Sequence, residues 1–86
     1  MDMEQALDEA ARATAELNDI LTPLLADGTI DFLSPGSTGV QGGEHHPKIG
    51  VHLNIDRVAF RQRRDELSDL VRPANERGVE VIFFPA

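Results

Sequence analysis

The stretch from Lys48 to Phe84 decides the fold, because it contains three patterns in a fixed order. It reads KIGVHLNI over residues 48–55, DRVAFRQRRDELSDLVRPANER over residues 56–77, and GVEVIFF over residues 78–84. The first stretch alternates apolar and polar residues, as a strand with one buried face does. The second repeats apolar residues at helical spacing, and the third is almost entirely apolar. A strand, a long helix and a strand in this order predict a right-handed parallel crossover.

The same unit contains signals for where its helix begins and ends. Asp56 is a good N-cap, and Gly78 is typical of the position just after a helix. Pro73 should bend the helix near its end, because proline lacks the N–H that a helix needs. The run Val79–Phe84 is interrupted only by Glu80. Such a run is more typical of an interior strand than of an edge strand.

The N-terminal part predicts a helix followed by a short strand. Residues 2–26 place apolar or small side chains at alternating steps of four and three, and the helix is expected to kink or restart at Pro23. This stripe extends over only about three heptads, so we expect it to pack on the chain's own sheet more than to form a dimer seam. Residues 29–34 predict a strand in which Ile30 and Phe32 share one face.

A glycine-rich stretch, PGSTGVQGGEHHP, occupies residues 35–47 between the two predicted strands. Its four glycines and two prolines argue against a regular element, and it is long for a hairpin connection. The sequence therefore predicts a mobile loop, which is either a plain connector or a binding loop. The glycines match no phosphate-binding fingerprint.

Together these patterns predict a single α+β domain over residues 1–86. The expected order is α-β-β-α-β, with a three-stranded mixed sheet and two helices packed on one face. Pairing of the first strand with the second across the glycine-rich stretch would be antiparallel, and the crossover would be parallel.

Charge and composition limit the classes of function. The net charge is −7, yet residues 1–47 hold nine acids and one base, whereas residues 48–86 hold six acids and seven bases. There is no Cys, and no apolar run reaches the roughly 18 residues of a membrane span. The first residues are acidic and lack the basic region of a signal peptide. We therefore expect a cytoplasmic protein with no membrane partner.

Catalytic and metal-binding patterns are weak. The serines lie in no nucleophile motif, and no spacing singles out a Ser, His and Asp set. His45, His46 and His52 do not have the spacing of known metal motifs. We expect a non-enzymatic protein without a cofactor or metal.

Three functional hypotheses follow. The first is a small acidic interaction protein that binds a protein partner and modulates or occludes it, as an inhibitor or nucleic-acid mimic of phage or mobile-element type would. Its expected contact residues are exposed acids and the glycine-rich stretch, namely Asp8, Glu9, Glu16, Asp19, Gly36, Gly39, Gly42, Gly43, Glu44, His45 and His46.

The second hypothesis is a nucleic-acid or phosphate-ligand module that uses basic residues, namely Arg57, Arg61, Arg64, Arg72, Lys48 and His52. The four arginines lie on one stripe of the second helix. A solvated face, tied by Arg61 to Asp65 and by Arg72 to Asp69 or Glu76, explains the same pattern. The acidity of the whole chain disfavours nucleic acid. The third hypothesis is a structural homodimer, joined through the first helix or through an edge strand.

Overall fold

The computed structural model describes the whole chain, Met1–Ala86. Its helices and strands are, in chain order, α1 (Met3–Ile20), α2 (Thr22–Ala26), β1 (Ile30–Gly39), β2 (His45–Leu53), α3 (Arg57–Glu76) and β3 (Glu80–Phe84). β1 pairs antiparallel with β2, and β2 pairs parallel with β3, so the sheet order is β1-β2-β3. The α-β-β-α-β order and the three-stranded mixed sheet are confirmed.

The predicted first helix is divided into α1 and α2. Asp2 is the N-cap of α1, and its side chain accepts a hydrogen bond from the Gln5 N–H at 2.8 Å. The Gln5 side chain accepts in return from the Asp2 N–H at 3.2 Å, which completes a capping box. The chain leaves the helix at Leu21, and Pro23 lies in the first turn of α2. The break therefore falls just before the predicted kink, because proline fits the start of a helix better than its interior.

α1 and α3 pack on the same face of the sheet. Alternate residues of β2 point into the layer between the sheet and the two helices, namely Ile49, Val51 and Leu53. They meet Leu17 of α1 and Leu67 of α3 in a continuous apolar core. Since each fully buried aliphatic side chain contributes about 1.5–3 kcal/mol, this layer provides most of the stabilisation.

α3 has the predicted ends. The Asp56 side chain accepts a hydrogen bond from the Ala59 N–H at 2.8 Å, as an N-cap does. Gly78 has a φ of +82°, the left-handed conformation that favours glycine after a helix. Pro73 lies inside α3, and the helix continues to Glu76.

The glycine-rich stretch 35–47 is not a loop, which corrects the prediction. β1 continues to Gly39 and β2 already begins at His45, so most of the stretch forms a β-hairpin. A 3-10 turn at Gln41–Gly43 closes the hairpin, and it requires positive φ at two successive glycines. Pro35 is tolerated because β1 is an edge strand, where one side of the backbone needs no ladder bonds. Pro47 lies in β2 just before Lys48, the first residue of β2 that pairs with β3.

Two other predictions about strands were wrong. Ile30 and Phe32 do not share a face: Ile30 is 1% exposed in the core, whereas Phe32 is 50% exposed on the other side of the sheet. The pairing register with β2 shifts between these two residues, as in a β-bulge, and the shift reverses the side on which later residues lie. β3 is an edge strand and not an interior one.

Candidate binding surface on the helix-free face of the sheet

One face of the sheet carries no helix, and we call it the open face. All three strands contribute alternate residues to it, namely Phe32, Ser34, Gly36, Lys48, Gly50, His52, Glu80, Ile82 and Phe84. The pairing register aligns these residues in rows across the strands. Ser34 lies beside Gly50 and Gly50 beside Ile82, while His52 lies between Phe32 and Phe84.

At one end of the open face, the rings of Phe32, His52 and Phe84 stack side by side across the three strands, and we call these three residues the column. The ring centroids of Phe32 and His52 are 4.1 Å apart and their planes differ by 13°. The centroids of His52 and Phe84 are 4.9 Å apart, with planes that differ by 14°. Phe32 is 50% exposed and Phe84 is 45% exposed, so both phenylalanines present apolar surface to solvent. Each stacked pair contributes about 0.5–1.5 kcal/mol beyond its area burial.

A hydrogen bond and a glycine fix the orientation of the His52 ring. His52 Nε2 lies 2.9 Å from Ser34 Oγ. A Cβ atom on Gly50 would lie 2.7 Å from that hydroxyl oxygen, 2.9 Å from Phe84 Cε2 and 3.2 Å from His52 Nε2. Only a residue without a side chain leaves these three groups in their present positions, so Gly50 is an integral part of the surface.

A groove of about 200 Å³ runs over Gly50 along the open face. Its lining combines an apolar wall, a hydroxyl and imidazole pair, and one ammonium group, and the residues are Ser34, Pro35, Gly36, Lys48, Gly50, His52, Ile82 and Phe84. Such a lining fits an apolar or planar side chain that carries a polar end. Ser34 and His52 form a hydroxyl and imidazole pair, and no hydrogen bond between the second ring nitrogen of His52 and a carboxylate accompanies it.

The acids of the first hypothesis lie on α1, away from the open face. Asp8 pairs with Arg12 at 3.1 Å, and Glu9 lies 3.8 Å from the same guanidinium. Arg77, just after α3, contacts Glu16 at 2.7 Å and Glu9 at 3.7 Å. Three of the four acids therefore take part in ion pairs within the molecule. Asp19 is exposed and has no such partner.

The residues expected in a binding loop are spread along the hairpin. Gly36 and Gly39 belong to β1, Gly42 and Gly43 to the turn, and His45 and His46 to β2. Glu44 accepts a hydrogen bond from the N-terminal amine at 2.6 Å, and this contact holds the pKa of Glu44 below its usual range. The histidines of the hairpin do not join acids in a group that could hold a metal ion.

The basic residues of the second hypothesis are divided between the two sides of the molecule. Lys48 and His52 lie on the open face, whereas α3 covers the opposite face. Arg57, Arg61 and Arg64 are exposed and form no ion pair, so the expected Arg61–Asp65 pair is absent. Arg64 lies 5.8 Å from the Phe60 ring centroid, and Arg72 pairs with Asp69. The structure thus separates the arginine stripe from Lys48 and His52.

Two arginines that the sequence analysis did not select, Arg63 and Arg77, contact acidic or hydroxyl side chains of the same chain. Arg77 connects α3 to α1, as described above. Arg63 donates to Glu66 at 3.1 Å and to the Thr29 hydroxyl at 3.5 Å. The hydrogen bond from Arg63 lowers the pKa of Glu66. Asp27 accepts from the Thr29 N–H at 2.8 Å, and hydrogen bonds from Thr29 hold the pKa of Asp27 below its usual value.

The stacked rings were not predicted from the sequence, although part of the signal is present. The alternation of residues 48–55 places His52 on the outward side of its strand. Nothing local indicates that Phe32 joins it, because the register shift after Ile30 depends on the pairing with β2.

Comparisons with protein-family models, with curated proteins and with solved structures returned no match. None of the three helices combines the length and the apolar composition that crossing a membrane requires.

Proposed function

We propose that this chain is a small interaction protein that binds a protein partner through the open face of its sheet. One observation carries the proposal: the column of Phe32, His52 and Phe84 is stacked, oriented and exposed to solvent. A domain of this size has few apolar residues to spare for its core. Placing two phenylalanines on the uncovered side is costly unless another surface covers them.

The chemistry of the open face favours a protein partner. Aromatic side chains held rigidly by their neighbours lose little entropy on binding, and they dominate the binding energy of many interfaces. The groove beside the column offers a hydroxyl, an imidazole and the Lys48 ammonium to the polar end of a partner side chain. Binding on this face would occlude the contacted surface of the partner, which is how a small modulator or inhibitor acts.

Affinity capture with matched variants tests this proposal. Tagged wild-type protein, Phe32→Ser and Val58→Ser would be used to capture partners from nuclease-treated lysate. Val58 is 63% exposed on α3 and provides a control that removes apolar surface elsewhere. We expect one stoichiometric protein with wild type and Val58→Ser, and much less with Phe32→Ser. Loss of a hot-spot aromatic costs about 2 kcal/mol or more, roughly 30-fold in Kd.

Circular dichroism of each variant serves as the folding control. Capture of the same protein in equal amounts by folded Phe32→Ser would remove the open face as the binding site. If wild type captures the partner and both variants lose it equally, the binding would be non-specific adhesion to exposed apolar residues, which would also contradict the proposal.

A second candidate function rests on the free arginines of α3. Arg57, Arg61 and Arg64 are exposed without acidic partners at the N-terminal end of that helix, which favours an anionic ligand. Anisotropy of a labelled duplex at low salt would test this role. Binding that is lost in the triple alanine variant but kept in Arg12→Ala would support it. No binding at micromolar wild-type protein would exclude it.

A further inference from the structure

The two edges of the sheet differ in their protection against strand pairing. The edge strand β1 carries a register shift between Ile30 and Phe32, a charged residue at that shift (Asp31), and Pro35 in its middle. Bulges, charges and prolines are the devices by which edge strands avoid pairing with other chains. β1 is therefore a poor template for an added strand.

The other edge, β3, has none of these devices between its ends. Its residues are Glu80, Val81, Ile82, Phe83 and Phe84, and it pairs with β2 in regular register. Glu80 stands at its first position and Pro85 follows its last, so the four residues between them are all apolar. Within the sheet β3 pairs only with β2, so its outer side pairs with no strand. An apolar edge strand whose outer backbone N–H and C=O groups pair with no other strand is a template for an added strand.

We propose that a second copy of this chain occupies this edge, with the two β3 strands paired antiparallel about a two-fold axis at Ile82. Closed two-fold pairs are the commonest form of self-association. Centring on Ile82 pairs all five residues of each strand and places Glu80 of one copy beside Phe84 of the other. A parallel arrangement would instead place the two Glu80 carboxylates side by side. The antiparallel pair joins two three-stranded sheets into a six-stranded sheet.

The distribution of charge favours a second copy at β3 over one at β1. α1, with its many acids, packs against β1 and β2, whereas α3 packs against β3. Residues 48–86, which build the β3 side, hold six acids and seven bases, against nine acids and one base in residues 1–47. Two copies joined at β3 keep their acidic helices at opposite ends, so repulsion between them is screened by distance and salt.

Sedimentation equilibrium of charge variants at Ile82 tests the pairing. Ile82 of one copy would lie opposite Ile82 of the other, so Ile82→Lys or Ile82→Glu alone places like charges together. We expect wild type at high micromolar concentration to sediment at twice the 9.4 kDa chain mass. Each single variant should raise the dimer Kd by about 100-fold or more, and an equimolar mixture of the two should restore the double mass.

Several outcomes would overturn the proposal. Wild type that stays monomeric at high micromolar concentration would do so, as would a Lys variant that remains dimeric or a mixture that remains monomeric. If a charged variant fails to fold, hydrogen exchange of wild type decides instead. We expect the β3 amides to exchange more slowly at higher protein concentration, and unchanged exchange contradicts the pairing. If β3 instead pairs only with a strand of another protein, its amides would be protected from exchange only after lysate is added. That result would also exclude the second copy.

The edge and the open face can be tested independently. Phe32 lies on β1, two strands away from the proposed seam, so Phe32→Ser should keep the double mass. A failure of partner capture with an intact dimer would count against the proposed function alone. A monomeric wild type that still captures its partner through Phe32 would count against the dimer alone.

Discussion

Replacement of Gly50 by alanine should disorganise the open face without reaching the core. Gly50 lies in the central strand, and an added Cβ would approach Ser34 Oγ to 2.7 Å and Phe84 Cε2 to 2.9 Å. Real Cβ atoms essentially never make contacts shorter than 3.0 Å, so both side chains must move. The movement breaks the hydrogen bond between Ser34 and His52 and separates the stacked His52 and Phe84 rings.

The expected cost follows from these two interactions. A net hydrogen bond contributes about 1 kcal/mol, and a stacked pair about 0.5–1.5 kcal/mol. Replacing glycine by alanine recovers about 0.4–1 kcal/mol by restricting the unfolded chain. We therefore expect Gly50→Ala to lower the free energy of unfolding by about 0.5–2 kcal/mol, where each kcal/mol corresponds to about 4–8 °C in Tm for a domain of this size.

Gly36→Ala provides the matched control, because Gly36 is also a glycine of the open face. Its added Cβ would meet only the flexible Lys48 side chain, at 3.4 Å or more, and its backbone has no positive φ. Urea denaturation and the ring-proton shifts of His52 would be measured for both variants. Equal stability of the two variants, with unchanged His52 shifts, would refute the reasoning.

Three further predictions concern the framework beneath the surface. Leu17→Ala, at a 0% exposed core position, should cost about 2–5 kcal/mol in urea denaturation, whereas Leu7→Ala, at a 40% exposed position of the same helix, should cost under about 1 kcal/mol. Gly78→Ala should cost about 1–2 kcal/mol by the same assay, because a φ of +82° strains any residue with a Cβ. The depressed pKa of Asp27 stabilises the fold above its unfolded pKa, and this stability is lost as the pH falls through the folded pKa. Asp27→Asn should therefore flatten the fall in Tm between roughly pH 5 and pH 3, and a fall as steep as in wild type would contradict the contribution of Asp27.

The part of the fold that the sequence predicted well depends on local signals. The ends of α3 follow from Asp56 and Gly78, and each acts within a few residues of its own position. The inward side of β2 follows from the alternation of Ile49, Val51 and Leu53, because successive side chains in a strand point to opposite faces. A sequence contains such information directly.

The parts that failed depend on pairing between distant segments. Whether Phe32 points inward or outward is decided by the register shift against β2, and no residue near Phe32 signals that shift. The glycine-rich hairpin likewise becomes a strand because β2 supplies its hydrogen-bond partners. The apolar run of β3 suggested an interior strand, since it is apolar on both faces. One face packs in the core, as Phe83 does against Phe60, while Ile82 and Phe84 lie on the open face.

The same pairing explains why the sequence did not indicate the open face. Sequence reasoning weighs charges and glycines, which are visible residue by residue, and it selected α1 and the hairpin. Glu9 and Glu16 instead form ion pairs with Arg77, just after the end of α3. The stacked rings of the open face come from three residues far apart in sequence that only the sheet brings together.

Salt dependence distinguishes three candidate binding sites: the open face, the acids of α1 and the free arginines of α3. The open face carries two residues of opposite formal charge, Lys48 and Glu80, and the register places them side by side. An apolar contact with this face should therefore change little between low and high salt. Binding through the acids of α1 or through the free arginines of α3 relies on exposed charges, which salt screens over about 10 Å at 0.1 M. A partner whose affinity is independent of salt concentration would therefore bind at the stacked rings. A partner whose affinity falls steeply as salt concentration rises would bind at α1 or α3.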